Sequence, residues 1–153
     1  MKRCTYFLFP LIVFVIFLTS CSNPINKEKG NTYYYTNEFS KHLTLDKKVS
    51  GNIMDTNFYK EIELSKDSIT TIKDFVGNLK KANFIAQPST LPKKPKYKFY
   101  LDFDKEKYVI NVYTEKYISI YPWDGDYSMD YIDMTGVYLN YNLYGLCTNT
   151  FTP

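Results

Sequence analysis

The residues best suited to chemistry form an acidic segment late in the chain. Residues 124–130 read DGDYSMD and place side-chain oxygens at alternate positions. Hard cations such as Ca²⁺ take six or more oxygen ligands, so Asp124, Asp126 and Asp130 are weak candidate metal ligands. However, Met129 stands where a calcium-binding EF-hand loop needs its turn glycine. Asp-Gly instead favours a hairpin turn, and we predict a turn with no metal and no cofactor.

The same loop, residues 124–133, supports the alternative that the protein is an envelope hydrolase. Hydrolysis by paired carboxylates needs two acids about 5–9 Å apart. A cysteine nucleophile would have to combine Cys147 with His42, the only histidine, and these lie at opposite ends of the domain sequence. One histidine and one cysteine beyond the N-terminal segment also make a poor zinc site. We therefore favour a non-catalytic protein and predict that Cys147 is a small buried residue.

Tyrosines form the more distinctive pattern, since the chain contains 16 of them. Because successive side chains of a strand point to opposite faces of the sheet, several tyrosines share the face opposite the aliphatic side chains. Their rings offer rigid, amphipathic contact area of the kind enriched in binding surfaces. We expect this face to bind a protein or a glycan, unless residues 33–45 and the C-terminal segment cover it. The candidate binding face consists of Tyr100, Tyr113, Tyr117, Tyr121 and Tyr131, with Trp123 at its rim.

Trp123 lies between Pro122 and the Asp-Gly turn, which leaves two roles open. Pro122 cannot donate to a sheet ladder, so the sequence predicts an edge or a bulge there. The indole could contact a partner at the turn, or it could fold under the turn and plug the end of the sheet. Because large aromatic side chains are highly buried on average, composition favours the plug.

Four runs rich in aromatic and β-branched residues must position these side chains. Charged or Asp/Gly clusters separate the runs, which is typical of consecutive antiparallel strands. Alternation places Phe99, Leu101, Ile110 and Ile118 on one face, which we predict to be the core face. The runs are residues 96–103, 108–113, 117–123 and 127–134.

One main amphipathic helix is predicted over residues 68–82. Asp67-Ser68 is a candidate N-cap, and apolar side chains then recur on one helical stripe. Residues 58–64 predict a strand, whereas residues 137–147 fit either a strand or, as we favour, a C-terminal helix. The fold class is therefore α+β. We predict a mostly antiparallel sheet of four to five strands over residues 58–134, with helix 68–82 on its aliphatic face.

Residues 84–97 form a connector with a basic cluster. Its prolines, Pro88, Pro92 and Pro95, exclude a helix or an interior strand. Such a basic run is usually a solvated loop, and contact with anionic lipid headgroups is the functional alternative. The cluster consists of Lys93, Lys94, Lys96 and Lys98.

The N-terminus has the pattern of a secretory signal. Lys2 and Arg3 precede an apolar run from about residue 6 to residue 18, and small residues follow. We predict a signal peptide over 1–20, the mature N-terminus with a flexible tether over 21–32, and a single domain over 33–153. The formal net charge of +3 falls to +1 once Lys2 and Arg3 are removed with the signal, and Arg3 is the only arginine, so both features argue against a nucleic-acid partner.

Residues 18–21, Leu-Thr-Ser-Cys, resemble the bacterial lipobox. The resemblance implies cleavage before Cys21, lipidation of Cys21 and an anchor in the outer leaflet of the cytoplasmic membrane. Two acyl chains hold a small domain stably where one would be marginal. Residues 121–125, 130–132 and 141–144 resemble small clostridial lipoproteins that are grouped as domains of unknown function. That resemblance implies a fold and no functional residue.

Overall fold

A computed structural model of the protein describes residues 29–46 and 48–152. The predicted signal peptide, lipobox and Cys21 lie outside the described residues. The described helices are α1 (Tyr34–Leu45), α2 (Lys66–Asn78) and α3 (Leu143–Phe151). The strands are β1 (Ser50–Asp55), β2 (Lys60–Glu63), β3 (Phe84–Ile85), β4 (Tyr97–Asp102), β5 (Lys107–Val112), β6 (Tyr117–Pro122) and β7 (Asp130–Asp133).

The strands form one sheet of seven, in the order β2-β1-β4-β5-β6-β7-β3, and each pairing is antiparallel. The α+β class is confirmed, whereas the prediction of four to five strands over 58–134 was too low. Strand β1 begins at Ser50, and its sequence SGNIMD has too many polar and small residues to indicate a strand. Strand β3 pairs two residues with β7 and is too short to leave a pattern.

Helix α2 begins and ends earlier than predicted. The side chain of Ser65 accepts a hydrogen bond from the Ser68 amide at 3.1 Å, so Ser65 is the N-cap and Asp67-Ser68 is not. Leu79 has an extended backbone, which ends the helix before Lys80 and Lys81. The predicted range of 68–82 was therefore wrong at both ends.

All three described helices pack on one face of the sheet. Ile72, Phe75 and Val76 of α2 share the core with Phe99, Leu101 and Ile110, as the alternation predicted. Helices α1 and α3 add Phe39, Leu43, Leu143 and Cys147 to the same core. The fold therefore has two layers, with the helices on one face of the sheet and the five tyrosines of the predicted binding face on the other.

The C-terminal helix forms, but only from Leu143 onward. The Asn142 side chain accepts hydrogen bonds from the amides of Tyr144 at 2.9 Å and Gly145 at 3.2 Å, which sets the start of α3. The preceding residues 139–141 form a short 3₁₀ turn. The helical prediction for 137–147 was thus correct in type and too early in its start.

Candidate binding surface

The five predicted tyrosines lie on the face opposite the helices, which we call the open face. Strand register places Tyr100 beside Val109 and Tyr121, and Tyr131 beside Ser119 and Asn111. The tyrosines are half-buried by their neighbours, and none of the described helices covers them. The structure thus brings together the residues that the sequence assigned to one face.

Polar residues form the floor beneath these rings. Asn111 and Ser119 are buried, and the Asn111 amide nitrogen donates to Ser119 Oγ at 3.2 Å and to the Tyr113 hydroxyl at 3.4 Å. The Met129 sulfur accepts from Ser119 Oγ at 3.3 Å and closes one side. The side-chain carbonyl oxygen of Asn111, Oδ1, is buried without a hydrogen-bond partner among the described residues. The floor therefore keeps one acceptor unused.

Burial affects the pKa of three tyrosines of the open face. It raises the pKa of Tyr100, Tyr121 and Tyr131 above the usual tyrosine value. Neighbouring tyrosines raise these pKa values further, whereas a hydrogen bond donated by the Asn111 side chain opposes the increase at Tyr121. These three hydroxyls therefore ionise later than an exposed tyrosine and stay available as hydrogen-bond donors.

Trp123 is 66% exposed, so the predicted plug is wrong and the contact role remains. The last β6–β7 pair joins Ile120 to Asp130, so β7 does not extend to Pro122 and no donor is missing from the ladder. The Trp123 amide donates to the Lys107 carbonyl at 2.8 Å, which fixes the backbone of the turn. The indole lies 6.1 Å from the Tyr100 ring, measured between centroids.

Tyr35 occupies the space under the turn that a plug would need. Its hydroxyl accepts a hydrogen bond from the Tyr127 amide at 2.6 Å. At Gly125, an added Cβ would lie 2.6 Å from the Tyr35 hydroxyl and 2.8 Å from Pro122 Cγ. Any side chain at position 125 would therefore force Tyr35 or Pro122 to shift, which favours glycine at this close approach. The sequence could not indicate this, since Tyr35 lies far away along the chain.

Two clefts flank Trp123. The open-face cleft, of about 590 Å³, lies along the Tyr100 side of the indole. The end cleft, of about 620 Å³, lies at the end of the sheet. The open-face cleft is lined by Asn52, Glu61, Tyr100, Leu101, Asp102, Lys107, Tyr108 and Trp123. Side chains that the sequence analysis missed line the end cleft with Trp123, Asp124 and Asp126, among them Tyr34, Tyr127, Glu38, Glu106 and Lys105.

The acidic loop does not act as one group of carboxylates. Asp124 and Asp126 line the end cleft, but Asp130 is fully buried. Asp130 pairs with the Lys29 ammonium group and accepts from the Thr36 amide at 2.7 Å and the Thr36 hydroxyl at 2.8 Å. It thus holds the first turn of α1 against β7. A negative charge is favoured at this position because the N-terminus of a helix carries a partial positive charge. Within residues 29–46 and 48–152, no three acidic, histidine or cysteine side chains are grouped so as to hold a metal ion.

Asp133 and the Cys–His pair lie elsewhere. Asp133 is 3.4 Å from the Lys116 ammonium group and accepts from the Thr135 amide at 2.8 Å. Burial opposes ionisation of Asp133, but these two partners outweigh it and lower the pKa. Cys147 is fully buried, as predicted, and burial raises the pKa of its thiol far above the usual range. His42 instead has one ring nitrogen 2.9 Å from the Asp46 carboxylate and the other 3.5 Å from the Glu106 carboxylate, so both of its nitrogens face acids rather than Cys147.

The fold resembles that of a crystallised clostridial protein. The crystal structure described as "Putative Lipoprotein from Clostridium perfringens" superposes with a TM-score of 0.73 at 31% sequence identity. The similarity covers 81% of this chain and 98% of that chain. No curated protein matches the chain. In the part of the chain that the structure describes, no helix has the length and apolar character needed to cross a membrane.

A protein family also matches most of the domain. Residues 29–147 match the family described as "Domain of unknown function (DUF4883)". This range contains all seven strands, the tyrosines of the open face and Trp123. The chain therefore belongs to the DUF4883 family.

Proposed function

We propose that the protein is a lipoprotein of the cell envelope, anchored through Cys21, that binds a glycan without catalysis. The resemblance of residues 18–21 to a lipobox and the similarity to the clostridial protein support the location. The observation that carries the binding role is the exposure of Trp123 beside Tyr100, on a face that no described helix covers. Exposed aromatic side chains of this size are typical of contact surfaces.

The chemistry around Trp123 favours a glycan. Aromatic rings present flat apolar faces on which sugar C–H groups can stack. Specificity then comes from a few polar side chains that hydrogen-bond the hydroxyl groups. The open-face cleft provides an amide, carboxylates and an ammonium group, from Asn52, Glu61, Asp102 and Lys107. Tyr34 and Tyr127 extend the aromatic surface into the end cleft.

Retention on insoluble cell-wall material tests this proposal. Wild-type protein is expected to co-sediment with purified wall glycan. The double variant Trp123→Ala/Tyr100→Ala is expected to lose binding. Tyr59→Ala is a matched control because Tyr59 is also exposed but lies on another turn. Equal retention of the three proteins would contradict the proposal. Capture of an envelope protein by wild type but not by Tyr117→Ala/Tyr121→Ala would instead identify a protein partner.

One observation favours hydrolysis as the second candidate. The end cleft collects Asp124 and Asp126 with Glu38 and Glu106. Two of these could supply the acid and base of a glycosidase. Release of reducing ends from wall glycan, abolished in Asp124→Asn or Asp126→Asn, would support this candidate. Binding without release would support the non-catalytic role.

A further inference from the structure

One end of the sheet combines exposed apolar side chains with lysines. We call this the hairpin end, because it carries the β1–β2 turn (residues 56–59) and the β5–β6 turn (residues 113–116). Phe58 is 82% exposed and Tyr59 is 75% exposed at the tip of the first turn. Tyr138 and Leu139 are likewise exposed beside the second turn.

Hydrogen bonds show that these segments lie at the same end. The Thr56 hydroxyl donates to the Pro95 carbonyl at 2.6 Å, which ties the first turn to the entry of β4. The Lys96 amide donates to the Val112 carbonyl at 2.9 Å, which continues the row to β5. The Asn142 side chain donates to the Glu115 carbonyl at 3.1 Å, which brings the segment after β7 beside the second turn.

The first turn is held in a conformation that keeps its aromatic side chains exposed. The Asp55 carboxylate accepts from the Asn57 amide at 2.8 Å and from the Phe58 amide at 3.3 Å. Tyr59 has a φ of 54°, a left-handed conformation that costs of order 1 kcal/mol or more for a bulky residue. The Lys94 ammonium group lies 5.2 Å from the centroid of the Tyr59 ring and donates to the Thr56 carbonyl.

Charge is distributed unevenly between the two ends. Among the described residues of the two turns and the strand ends beside them, the exposed acids are Glu61 and Glu115, since Asp55 is buried and Asp133 is half-buried beside Lys116. The acidic side chains of the end cleft lie at the other end, with Trp123. The lysines of the hairpin end are Lys60, Lys80, Lys81, Lys93, Lys94, Lys96 and Lys116.

We infer that the hairpin end docks on the anionic membrane surface in which the lipid anchor is held. Aromatic and aliphatic side chains enter the headgroup region, while lysines contact anionic headgroups. This inference rests on the anchored location proposed above. It places the Trp123 clefts at the opposite end of the sheet, facing away from the membrane.

The length of the chain before the domain permits this orientation. The described chain begins at Lys29, which pairs with Asp130 in the middle of the sheet. Strand register puts Asp130 in the same row as Ile53, so about four residues, or about 13 Å, separate it from the hairpin tip along the strands. The segment from Cys21 to Lys29 can span up to about 28 Å when extended. The anchor can therefore reach the membrane while the hairpin end touches it.

Fluorescence quenching by brominated lipids tests the docking, because the chain contains a single tryptophan. The lipidated protein is placed in vesicles of phosphatidylcholine and phosphatidylglycerol with brominated acyl chains. In Phe58→Trp/Trp123→Phe, emission is expected to be quenched. Leu45→Trp/Trp123→Phe, a matched control at an exposed position before β1, is expected to remain unquenched, as is Trp123 in the wild type.

Charge variants and vesicle flotation distinguish docking of the hairpin end from membrane anchoring alone. Lys60→Gln/Lys93→Gln is expected to lower the ratio of docked to undocked protein about thirtyfold, whereas Lys48→Gln near Leu45 is expected to leave it unchanged. If the protein floats with the vesicles but the Phe58→Trp variant is quenched no more than the Leu45→Trp variant, the docking is overturned and the anchor stands. If the protein fails to float at all, both the anchor and the docking are overturned. Neither result depends on glycan binding.

Discussion

Replacement of Asp130 by asparagine should destabilise the fold strongly, because this carboxylate is fully buried and has charged and polar partners from a distant segment. The side chain of Lys29 is 12% exposed, so neither charge of the pair is well solvated. Removal of one member of a buried ion pair costs about 3–5 kcal/mol. The amide oxygen of the introduced asparagine can still accept from the Thr36 amide, and Lys29 can turn toward solvent. We therefore expect the lower end, about 3 kcal/mol.

Urea unfolding measures this loss of stability, and a second carboxylate on β7, that of Asp133, provides the control. A loss of about 3 kcal/mol lowers the midpoint by about 1.5 M when the slope is about 2 kcal/mol per molar. Asp133→Asn removes a carboxylate on the same strand, but its partner Lys116 is half-exposed and 3.4 Å away. Because the lysine of that pair is exposed to solvent, the loss should be clearly smaller than the loss in Asp130→Asn. Equal midpoints for the two variants would refute the assignment of Asp130 as the residue that holds α1 to the sheet.

Three further predictions concern the turn, the tyrosines and the cysteine. Gly125→Ala should cost about 1–3 kcal/mol, because its Cβ would overlap Tyr35, whereas Gly77→Ala on α2, where nothing lies within 4 Å of the new Cβ, should stabilise by about 0.5–1 kcal/mol; thermal unfolding of both compares them. The raised pKa values of Tyr100, Tyr121 and Tyr131 contribute stability that is present below the unfolded tyrosine pKa of about 10 and is lost as pH rises above it. A tyrosinate absorbance titration should therefore show a late-ionising group that shifts to the normal value in urea, and uniform titration in the native protein would contradict this. Cys147 should not react with a thiol reagent until the protein unfolds, and rapid reaction of the native protein would show that the C-terminal helix opens.

Alternation indicated which side chains share a face, because a strand has a period of two that survives any tertiary context. Phe99 and Ile110 were thus assigned to the core, and Tyr100 and Tyr121 to the other face, from sequence alone. Strand β1 escaped prediction because it depends on pairing with β2 and β4 more than on its own propensity.

The surroundings of Trp123 were not predictable in the same way. Trp123 is exposed because Tyr35, from a helix 88 residues earlier in the chain, fills the space beneath the turn. Asp130 was likewise grouped with Asp124 and Asp126 by spacing, but Lys29 and Thr36 give it a structural role. Local patterns do not contain such contacts, since they depend on the path of the whole chain.

The emission of Trp123 tests the central claim most directly, because it is the chain's single tryptophan and lies between the two clefts. Soluble glycan fragments released from the cell wall are titrated into the native protein. Stacking on the indole predicts a saturable change in emission, and Tyr100→Ala should weaken the apparent affinity without lowering the melting temperature. An emission spectrum that stays constant while the fragments bind, or the absence of binding to any wall fraction, would contradict the proposed function.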